Sequence, residues 1–391
     1  MSEIDFNHEL RKVIDLAIKD TGVIENTSLK ELFTKKINEI GITQNNALKL
    51  LNMELKTLNS ILDNTAKRVD VINIIKLAHF LGLSINEIMK VYISSMSSKQ
   101  IGSIQRAKEA SYITENFDIN SLEKIGFISS KDINNLKSKI TNFFGLKTIY
   151  DYSETKIYPA FSRSKRTSDD KVRDFWLKSA FAILKGIDNP YPYNREKLID
   201  LIPKIRPYTR NENLGLTLVA KALYLTGVTI IYQPSIANLQ VKGATFVVND
   251  KPCIVISDLN KRYPTLWFVL LHELFHILYD LNDIKETSFH LSGDYDLFAL
   301  LLDEEGADDF AREYLLSDDR LKFIKDRINA QSIVQKYAKK WSIHPSIIYA
   351  IYCYNYNDWG NPVSKLIPKT KKSLYYLNTN PFKKETLLES I

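Results

Sequence analysis

The chain has 391 residues, of which 45% are hydrophobic and 25% charged, and these proportions exclude a disordered or fibrous protein. Its 53 Lys and Arg against 46 Asp and Glu give a formal charge of +7, a modest excess that is compatible with nucleic acid as a partner. The length favours two or three domains. Two cysteines, Cys253 and Cys353, are too few for a disulfide framework and indicate a reducing compartment. Because the N-terminus lacks a signal-peptide pattern and no apolar run reaches about 18 residues, we expect a cytoplasmic protein without membrane contact.

The first predicted domain, residues 1–96 with a core at 30–92, reads as short helices. Within it, Ile42–Met89 has the rhythm of a helix-turn-helix. Thr43 is expected to cap a helix that reaches Leu51, followed by a turn at Asn52–Met53 and a second helix over Glu54–Leu62. The residues predicted to form the buried side of this pair are Leu48, Leu51, Leu55, Leu58, Ile61 and Leu62.

This stretch resembles the Xre-type repressor domain, from "TQ" at Thr43–Gln44 to the closing "LAHFLGLSINEIM". The resemblance implies an all-α domain that binds operator DNA, with a homodimer as one expected form. The candidate DNA contacts are Gln44, Lys56, Thr57, Asn59, Ser60, Lys67 and Arg68. The second helix has Lys56 as its one cation and Glu54 at its start. Phosphate contacts would therefore need Lys49, Lys67 and Arg68, or a dimer. The alternative is a helical bundle used for protein association.

The next predicted region, residues 97–210, keeps a helical pattern and has no assigned role beyond positioning the two ends or gating a site. The small polar stretch Ser94–Ser103 reads as a boundary or exposed linker. The basic stretch Ser162–Arg173 is predicted to be a solvated loop.

The third predicted domain, residues 211–358, contains the first clear strands. Gly227–Pro234, "ATFVVND" and "KPCIVISD" are rich in β-branched residues, and a hairpin is predicted at Asn249–Lys251. Strong helices follow, so we expect a small antiparallel sheet packed by helices, an α+β domain in a mostly α chain. The basic tail, residues 359–391, is expected to dock loosely if at all.

The motif "HELFH" lies in the apolar run "TLWFVLLHELFHILYDL". His272 and His276 are four residues apart on a predicted helix, so their imidazoles can bind one Zn²⁺ ion. Glu273 is placed to reach a water on that ion and act as general base. A third ligand is expected downstream, at Glu304 with Glu305 as competitor, and Asp308 would then hold a ligand histidine by its second nitrogen.

Together, "HELFH" and "EEGADDFAREYLL" resemble the ImmA/IrrE family of bacterial zinc metallopeptidases. The preceding "ATFVVNDKPCIVISDLNKRYPTLWFVLLHE" and the later "WSIHPSIIYAIYCY" resemble it too. The resemblance implies a zincin-like α+β fold and a gluzincin-like HExxH…ExxxD endopeptidase. It makes His272, His276 and Glu304 the zinc ligands and Glu273 the catalytic base. His344 is a candidate for assisting an oxyanion or binding substrate, with a structural role as the alternative.

The two motif sets on one chain lead to the hypothesis of a bacterial or phage regulator that binds DNA and cleaves a repressor- or antitoxin-type protein. The alternative is a transcription factor or toxin–antitoxin component whose zinc site stabilises or senses without proteolysis.

Overall fold

The structure is a computed structural model that describes residues 28–66, 68–154, 168–237, 239, 241–287, 289–293 and 304–370. The chain divides into two compact units, Met1–Lys108 and Glu109–Ile391. Within the described ranges, no single helix is long and apolar enough to cross a membrane. Val71–Leu81 and Ile85–Ser94, bent by 110° between them, reach that length and composition only as a pair.

The first unit is a helical bundle around one apolar core. Its described helices are α1 (Leu29–Glu39), α2 (Gln44–Leu51), α3 (Leu55–Leu62), α4 (Val71–Leu81) and α5 (Ile85–Ser94). Side-chain caps fix several of the starts: Ser28 exchanges hydrogen bonds with Glu31, and Ser84 does the same with Glu87. Such capping boxes satisfy backbone N–H groups that the helix itself leaves unpaired.

The predicted helix-turn-helix elements are confirmed. Thr43 Oγ1 accepts a hydrogen bond from the Asn46 backbone N–H at 3.3 Å, and Asn52 ends α2 in the left-handed conformation with φ 46°. Leu58 is fully buried, as predicted, but Leu55 is 48% exposed, so its predicted burial is wrong. Leu55 is the first residue of α3. A side chain at that position leans back past the helix start, so it lies outside the surface that the later turns of the helix bury.

The boundary or exposed linker predicted at Ser94–Ser103 is wrong from Ser98 onwards, because α6 (Ser98–Asn116) begins there. Ser97 Oγ accepts from the Gln100 N–H at 3.4 Å, and Gln100 Oε1 accepts from the Ser97 N–H at 3.0 Å. This reciprocal pair is a helix-start arrangement. Ser97 therefore caps α6, although the composition of the stretch is that of a linker.

The second unit begins with helices that cover one face of a sheet. They are α7 (Ile119–Lys124), α8 (Ile133–Phe144), α9 (Asp151–Glu154) and α10 (Ser168–Lys185). Of the basic stretch predicted as a solvated loop, residues 162–167 lie outside the described residues. The prediction is wrong for the rest, since Ser168–Arg173 is helical, Val172 is buried and Arg173 pairs with Asp170 at 2.7 Å.

The sheet has the strand order β1-β3-β2-β4 in the described part of the chain. Its strands are β1 (Thr229–Tyr232), β2 (Val241–Val248), β3 (Lys251–Ile256) and β4 (Phe289–Gly293). The predicted hairpin is confirmed: Asn249 and Asp250, with φ 51° and 60°, link Val248 to its partner Lys251. Two positive φ values in a two-residue loop match the right-handed twist of the paired strands.

The sheet is mixed, so the prediction of an antiparallel sheet is wrong for one pair. β2 runs antiparallel to both β3 and β4, but β1 runs parallel to β3. The reason is that β3 lies between β1 and β2, so the strand that follows β1 in sequence is not its neighbour. Strand composition does not encode this order.

The helices on the other face carry the candidate site. They are α11 (Arg195–Leu201), α12 (Gly215–Tyr224), α13 (Tyr263–Tyr279), α14 (Leu281–Thr287), α15 (Glu304–Leu315), α16 (Asp318–Ile324), α17 (Gln331–Lys340) and α18 (Pro345–Asn355). Ile254 and Ile256 of β3 join the core on this face, whereas Cys253 and Val255 join the core beneath α10. Burial on both faces explains why the strand reads as one apolar run.

The described part of the basic tail docks firmly, contrary to the predicted loose docking. The Pro368 carbonyl accepts a hydrogen bond from the Tyr263 N–H at 2.9 Å, and Thr370 is only 3% exposed. The Arg262 guanidinium lies over the Trp359 ring at 3.8 Å. These contacts fasten the chain to the start of α13; residues 371–391 lie outside the described residues.

Candidate metal centre

The site is built on α13, which is buried nearly all round. Its residues contact β2, β3, α15 and α18, and most are apolar. Within this apolar setting His272, Glu273 and His276 are 6%, 0% and 0% exposed. Buried polar groups of this kind require partners, because desolvation without a hydrogen bond or charge partner is costly. Three groups of partners surround these side chains, and one oxygen of Glu273 is left without a hydrogen-bond partner among the described residues.

The first group is the two histidines and Glu304, the first residue of α15. His272 Nε2 and His276 Nε2 are 3.2 Å apart. Glu304 Oε2 lies 3.3 Å from His272 Nε2, and Glu304 Oε1 lies 3.3 Å from His276 Nε2. All three ligand atoms lie within 4.8 Å of one another. Two imidazole nitrogens and a carboxylate converging on one point fit a divalent metal ion. We call these three residues the metal cluster.

The second group fixes the imidazoles from behind. Asp308 Oδ1 lies 2.8 Å from His272 Nδ1, and Asp280 Oδ2 lies 2.7 Å from His276 Nδ1. A carboxylate on Nδ1 keeps the proton there and leaves Nε2 as the ligand atom. The structure places Asp308 where the sequence predicted it. Asp280 was not predicted, although its position four residues after His276 on a helix was the available signal.

The open choice between Glu304 and Glu305 is decided by the start of α15. Glu304 joins the two histidines, whereas Glu305 is exposed and lies outside this group. Neighbouring residues on a helix point about 100° apart, so only one of them can face α13.

The third group surrounds Glu273. Its Oε2 accepts a hydrogen bond from Thr245 Oγ1 of β2 at 2.7 Å, and its Oε1 has no hydrogen-bond partner among the described residues. Gly243 provides the space, because a Cβ there would lie 2.5 Å from Glu273 Oε1. A buried carboxylate oxygen without a partner fits a site completed by a bound ion and water. The sequence did not single out Gly243 or Thr245.

Protonation of the histidines is governed by this crowd of carboxylates. Burial alone would lower the pKa of His272, but its hydrogen bonds with Asp308 and Glu304, and the nearby negative charges, raise it to about 10. The pKa of His276 is also raised: burial opposes the charged form, and Glu304, Glu273 and Asp280 outweigh that. Without metal, protons therefore occupy the cluster at neutral pH, and a metal ion has to displace them.

The structure does not bring His344 to the metal cluster. His344 caps α18, with Nε2 3.1 Å from Glu212 Oε1 and its ring 5.4 Å from that of Tyr263. Tyr263 is nine residues before His272 on α13, about 13 Å along the helix axis. Burial lowers the pKa of His344, and Glu212 partly opposes this. These contacts tie three segments together at the start of α13.

The candidate DNA contacts lie in the first unit, on and beside α3. Lys56, Asn59 and Arg68 are exposed, whereas Thr57 and Ser60 are half-buried. Gln44 Nε2 donates a hydrogen bond to Asn59 Oδ1 at 3.2 Å, which links the start of α2 to α3. Lys67 lies outside the described residues.

Comparison with protein families, with curated proteins and with solved structures finds no match to this chain. What the chain does must therefore be argued from its own residues.

Proposed function

We propose that this chain is a regulator that binds duplex DNA through its first unit and, through a zinc ion at the metal cluster, cleaves a repressor- or antitoxin-type protein. The observation that carries the peptidase proposal is the buried Glu273 beside His272, His276 and Glu304. One of its carboxylate oxygens has no hydrogen-bond partner among the described residues. The motif resemblance to ImmA/IrrE peptidases supports the substrate class.

Zinc is the metal that this donor set fits best. Two neutral imidazoles and one carboxylate are the protein ligands of many catalytic zinc sites, which keep a further position for water. The carboxylates on both Nδ1 atoms add the outer support that such sites use. A purely structural site more often has four protein ligands.

In the proposed reaction the chain positions a base and holds its proton. Zinc, when bound, would supply a Lewis acid that polarises the scissile carbonyl and acidifies the attacking water. Glu273 accepts the proton of that water at Oε1 and later passes it to the leaving amine. Thr245 holds Oε2 meanwhile, so the carboxylate stays aimed during both transfers.

Access to the site is from the side of α15. The Glu304 and Asp308 side chains are 45% and 39% exposed, whereas the two histidines are buried. In the described part of the sheet β4 is an edge strand next to β2, and Thr245 of β2 donates the hydrogen bond to Glu273. An extended peptide that pairs with this edge would run beside the site, as in other cases of strand addition.

The DNA-binding proposal rests on α2, the turn at Asn52 and α3. Lys56 and Asn59 project from α3 into solvent, where a recognition helix reads the major groove. A single lysine gives few phosphate contacts, so a homodimer on two half-sites is the proposed binding form.

A zinc site that only stabilises or senses is the second candidate. The observation that favours it is the complete burial of Glu273 and His276, which suits a closed site. The two candidates differ in what Glu273 is for, because a structural ion needs no general base.

The deciding experiment compares wild type with Glu273→Gln and, as a matched control, Glu305→Gln. Each protein is expressed in its host, zinc is measured on the purified chain, and new protein N-termini in the cell are identified by mass spectrometry. We expect all three proteins to hold zinc, and wild type and Glu305→Gln to produce the same new N-termini. Glu273→Gln should produce none of them. Identical N-termini from Glu273→Gln and wild type would rule out the peptidase mechanism, and none from any protein would favour the structural or sensing role.

A further inference from the structure

The segment Asp318–Trp341 carries an uneven share of the charge. It spans α16, a turn of 3-10 helix at Lys325–Arg327, and α17 up to Trp341. Its seven cations against three carboxylates account for more than half of the formal charge of +7. The cations are Arg320, Lys322, Lys325, Arg327, Lys336, Lys339 and Lys340. All are exposed except Arg320, which is half-buried.

These cations are not neutralised locally. Across the described ranges of the chain, no ion pair joins any of the seven to a carboxylate. Arg206 adds to the positive field: its pKa is lowered chiefly by burial and further by the charge of Arg320, while Glu313 opposes this. Like charges held close together repel, and a bound polyanion would relieve the repulsion.

Aromatic rings lie among the cations. Phe323 of α16 contacts Tyr337 and Trp341, with ring centroids 4.9 and 6.4 Å away. Each ring has a cation over it: Arg327 is 5.7 Å from the Phe323 centroid, Lys340 is 6.0 Å from Tyr337 and Arg320 is 5.8 Å from Trp341. Three of the cations therefore converge on one aromatic group. We call these six residues the aromatic–cation cluster.

The aromatic group also reaches the surface, since Phe323 is 47% exposed. An exposed apolar ring at the centre of a cationic surface does not stabilise a helix face that contacts only water. It offers a stacking platform to a planar group, and stacking of bases on aromatic rings is a main contribution to single-strand binding. The acidic residues of a peptide supply negative charge but no ring, whereas every nucleotide supplies both a phosphate and a flat base, so the combination favours nucleic acid.

We propose that the aromatic–cation cluster and the lysines around it form a nucleic-acid-binding surface, with phosphates on the cations and an unpaired base stacked on Phe323. Because stacking needs an unpaired base, single strands are the preferred form. This surface belongs to the second unit and differs from the α3 surface proposed for duplex DNA. It does not depend on the peptidase proposal.

The test uses the full chain and a fluorescent oligo-dT of about 20 nucleotides, a length that covers a typical single-strand site. Binding is followed by anisotropy at several salt concentrations. Lys336→Glu/Lys339→Glu/Lys340→Glu is compared with Lys197→Glu/Lys204→Glu/Lys221→Glu, which makes the same charge change at exposed positions on α11, α12 and the turn between them. We expect the first variant to bind at least about tenfold more weakly and to show a smaller salt slope, because phosphate contacts are lost. The second should change binding about threefold or less.

Phe323→Ala tests the stacking part, with the exposed Tyr191→Ala as control. We expect Phe323→Ala to weaken oligo-dT binding about fivefold or more with the salt slope unchanged, since a stacking contact releases no counterions. Tyr191→Ala should bind as wild type does.

Several results would overturn the proposal. One is the absence of oligo-dT binding by wild type at about 50 mM salt, where phosphate contacts are strong. Another is an equal loss of oligo-dT affinity in the two triple-charge variants. Equally tight binding of a polyglutamate peptide of the same charge would make the surface a general polyanion site. A larger loss of matching-duplex binding than of oligo-dT binding in Lys336→Glu/Lys339→Glu/Lys340→Glu would remove the single-strand preference, because duplex bound at α3 is untouched by that variant. Equal behaviour of Phe323→Ala and Tyr191→Ala would remove it too.

Discussion

The metal cluster and the α2–α3 surface use polar side chains in opposite ways. At the metal cluster, His272, Glu273 and His276 are buried and each touches a carboxylate or hydroxyl at a fixed distance. On α3, Lys56 and Asn59 face solvent, and a Gln44–Asn59 hydrogen bond joins α2 to α3 at the surface. A buried polar group affects both stability and ligand binding, whereas an exposed one acts only when its partner arrives. Substitutions should therefore have large, coupled effects in the first region and small, separable ones in the second.

The largest expected effect is loss of metal binding in His276→Ala. This substitution removes one of the three proposed ligands and leaves the half-buried Asp280 without its histidine. We expect zinc affinity, measured by competition with a chelator, to fall about a hundredfold or more. The exposed His79→Ala is the control and should keep wild-type affinity; a similar loss there would mean that the cluster is not the site.

Asp280→Asn should cause the next largest loss of zinc affinity. The amide cannot hold the proton on His276 Nδ1 as the carboxylate does, and losses of this kind weaken zinc binding about 10- to 100-fold. Asp308→Asn should cost less, because the Asp308 side chain is 39% exposed and that of Asp280 is 14% exposed. Chelator competition measures both, with the exposed Glu286→Gln as control. The reverse order would mean that burial does not set the strength of these contacts.

Zinc affinity should rise with pH. The metal-free pKa of His272 is about 10, so zinc competes with a proton at neutral pH, and each pH unit should change affinity about tenfold per proton released. Titrations between about pH 6 and 9 measure this, in buffers that do not bind zinc. A flat profile would show that His272 is neutral before metal binds.

Stability of the metal-free protein should follow the opposite trend. The folded-state pKa of His272, about 10, is above its ordinary value. The stabilisation is therefore fully present below about pH 6.5 and is lost as pH rises towards 10. Urea unfolding of chelator-treated protein should show the free energy of unfolding falling across this window, and less steeply in His272→Ala.

Gly243→Ala should destabilise the protein by about 1–3 kcal/mol, the usual cost of overpacking. The new Cβ would lie 2.5 Å from Glu273 Oε1 and 2.6 Å from Val269 Cγ1. Gly102→Ala is the matched control, because no atom lies within 4 Å of its added Cβ and alanine favours the helix. Urea unfolding distinguishes them: equal stability of the two variants would show that the space beside Glu273 is not tight.

Lys56→Ala should have the smallest effect and leave stability within about 0.5 kcal/mol. Operator binding, once the operator is identified by selection from random duplexes, should weaken about tenfold or less, with the salt slope reduced by about one. The exposed Lys35→Ala on α1 is the control. A change in stability as large as that of Gly243→Ala would contradict the contrast between the two regions.

Periodicity and cap residues predicted local structure well in both regions. Thr43, Asn52 and the hairpin at Asn249–Asp250 act where the sequence placed them, because caps and turns depend on residues a few positions apart. The prediction at Ser94–Ser103 was wrong from Ser98 onwards because a serine that caps a helix and a serine in a linker look alike in composition. The reciprocal hydrogen bonds of Ser97 and Gln100 distinguish the two.

The sequence by itself determined which side chains could act as ligands. The spacing of His272 and His276 on a helix placed their imidazoles on one face before any tertiary contact was known. Only the tertiary structure decided that Glu304, and not Glu305, joins the two histidines. It alone also revealed the roles of Asp280, Thr245 and Gly243. Their roles depend on how α15 and β2 pack against α13, and on β3 lying between β1 and β2. Such long-range packing is set by the shape of whole faces, which short-range sequence patterns do not record.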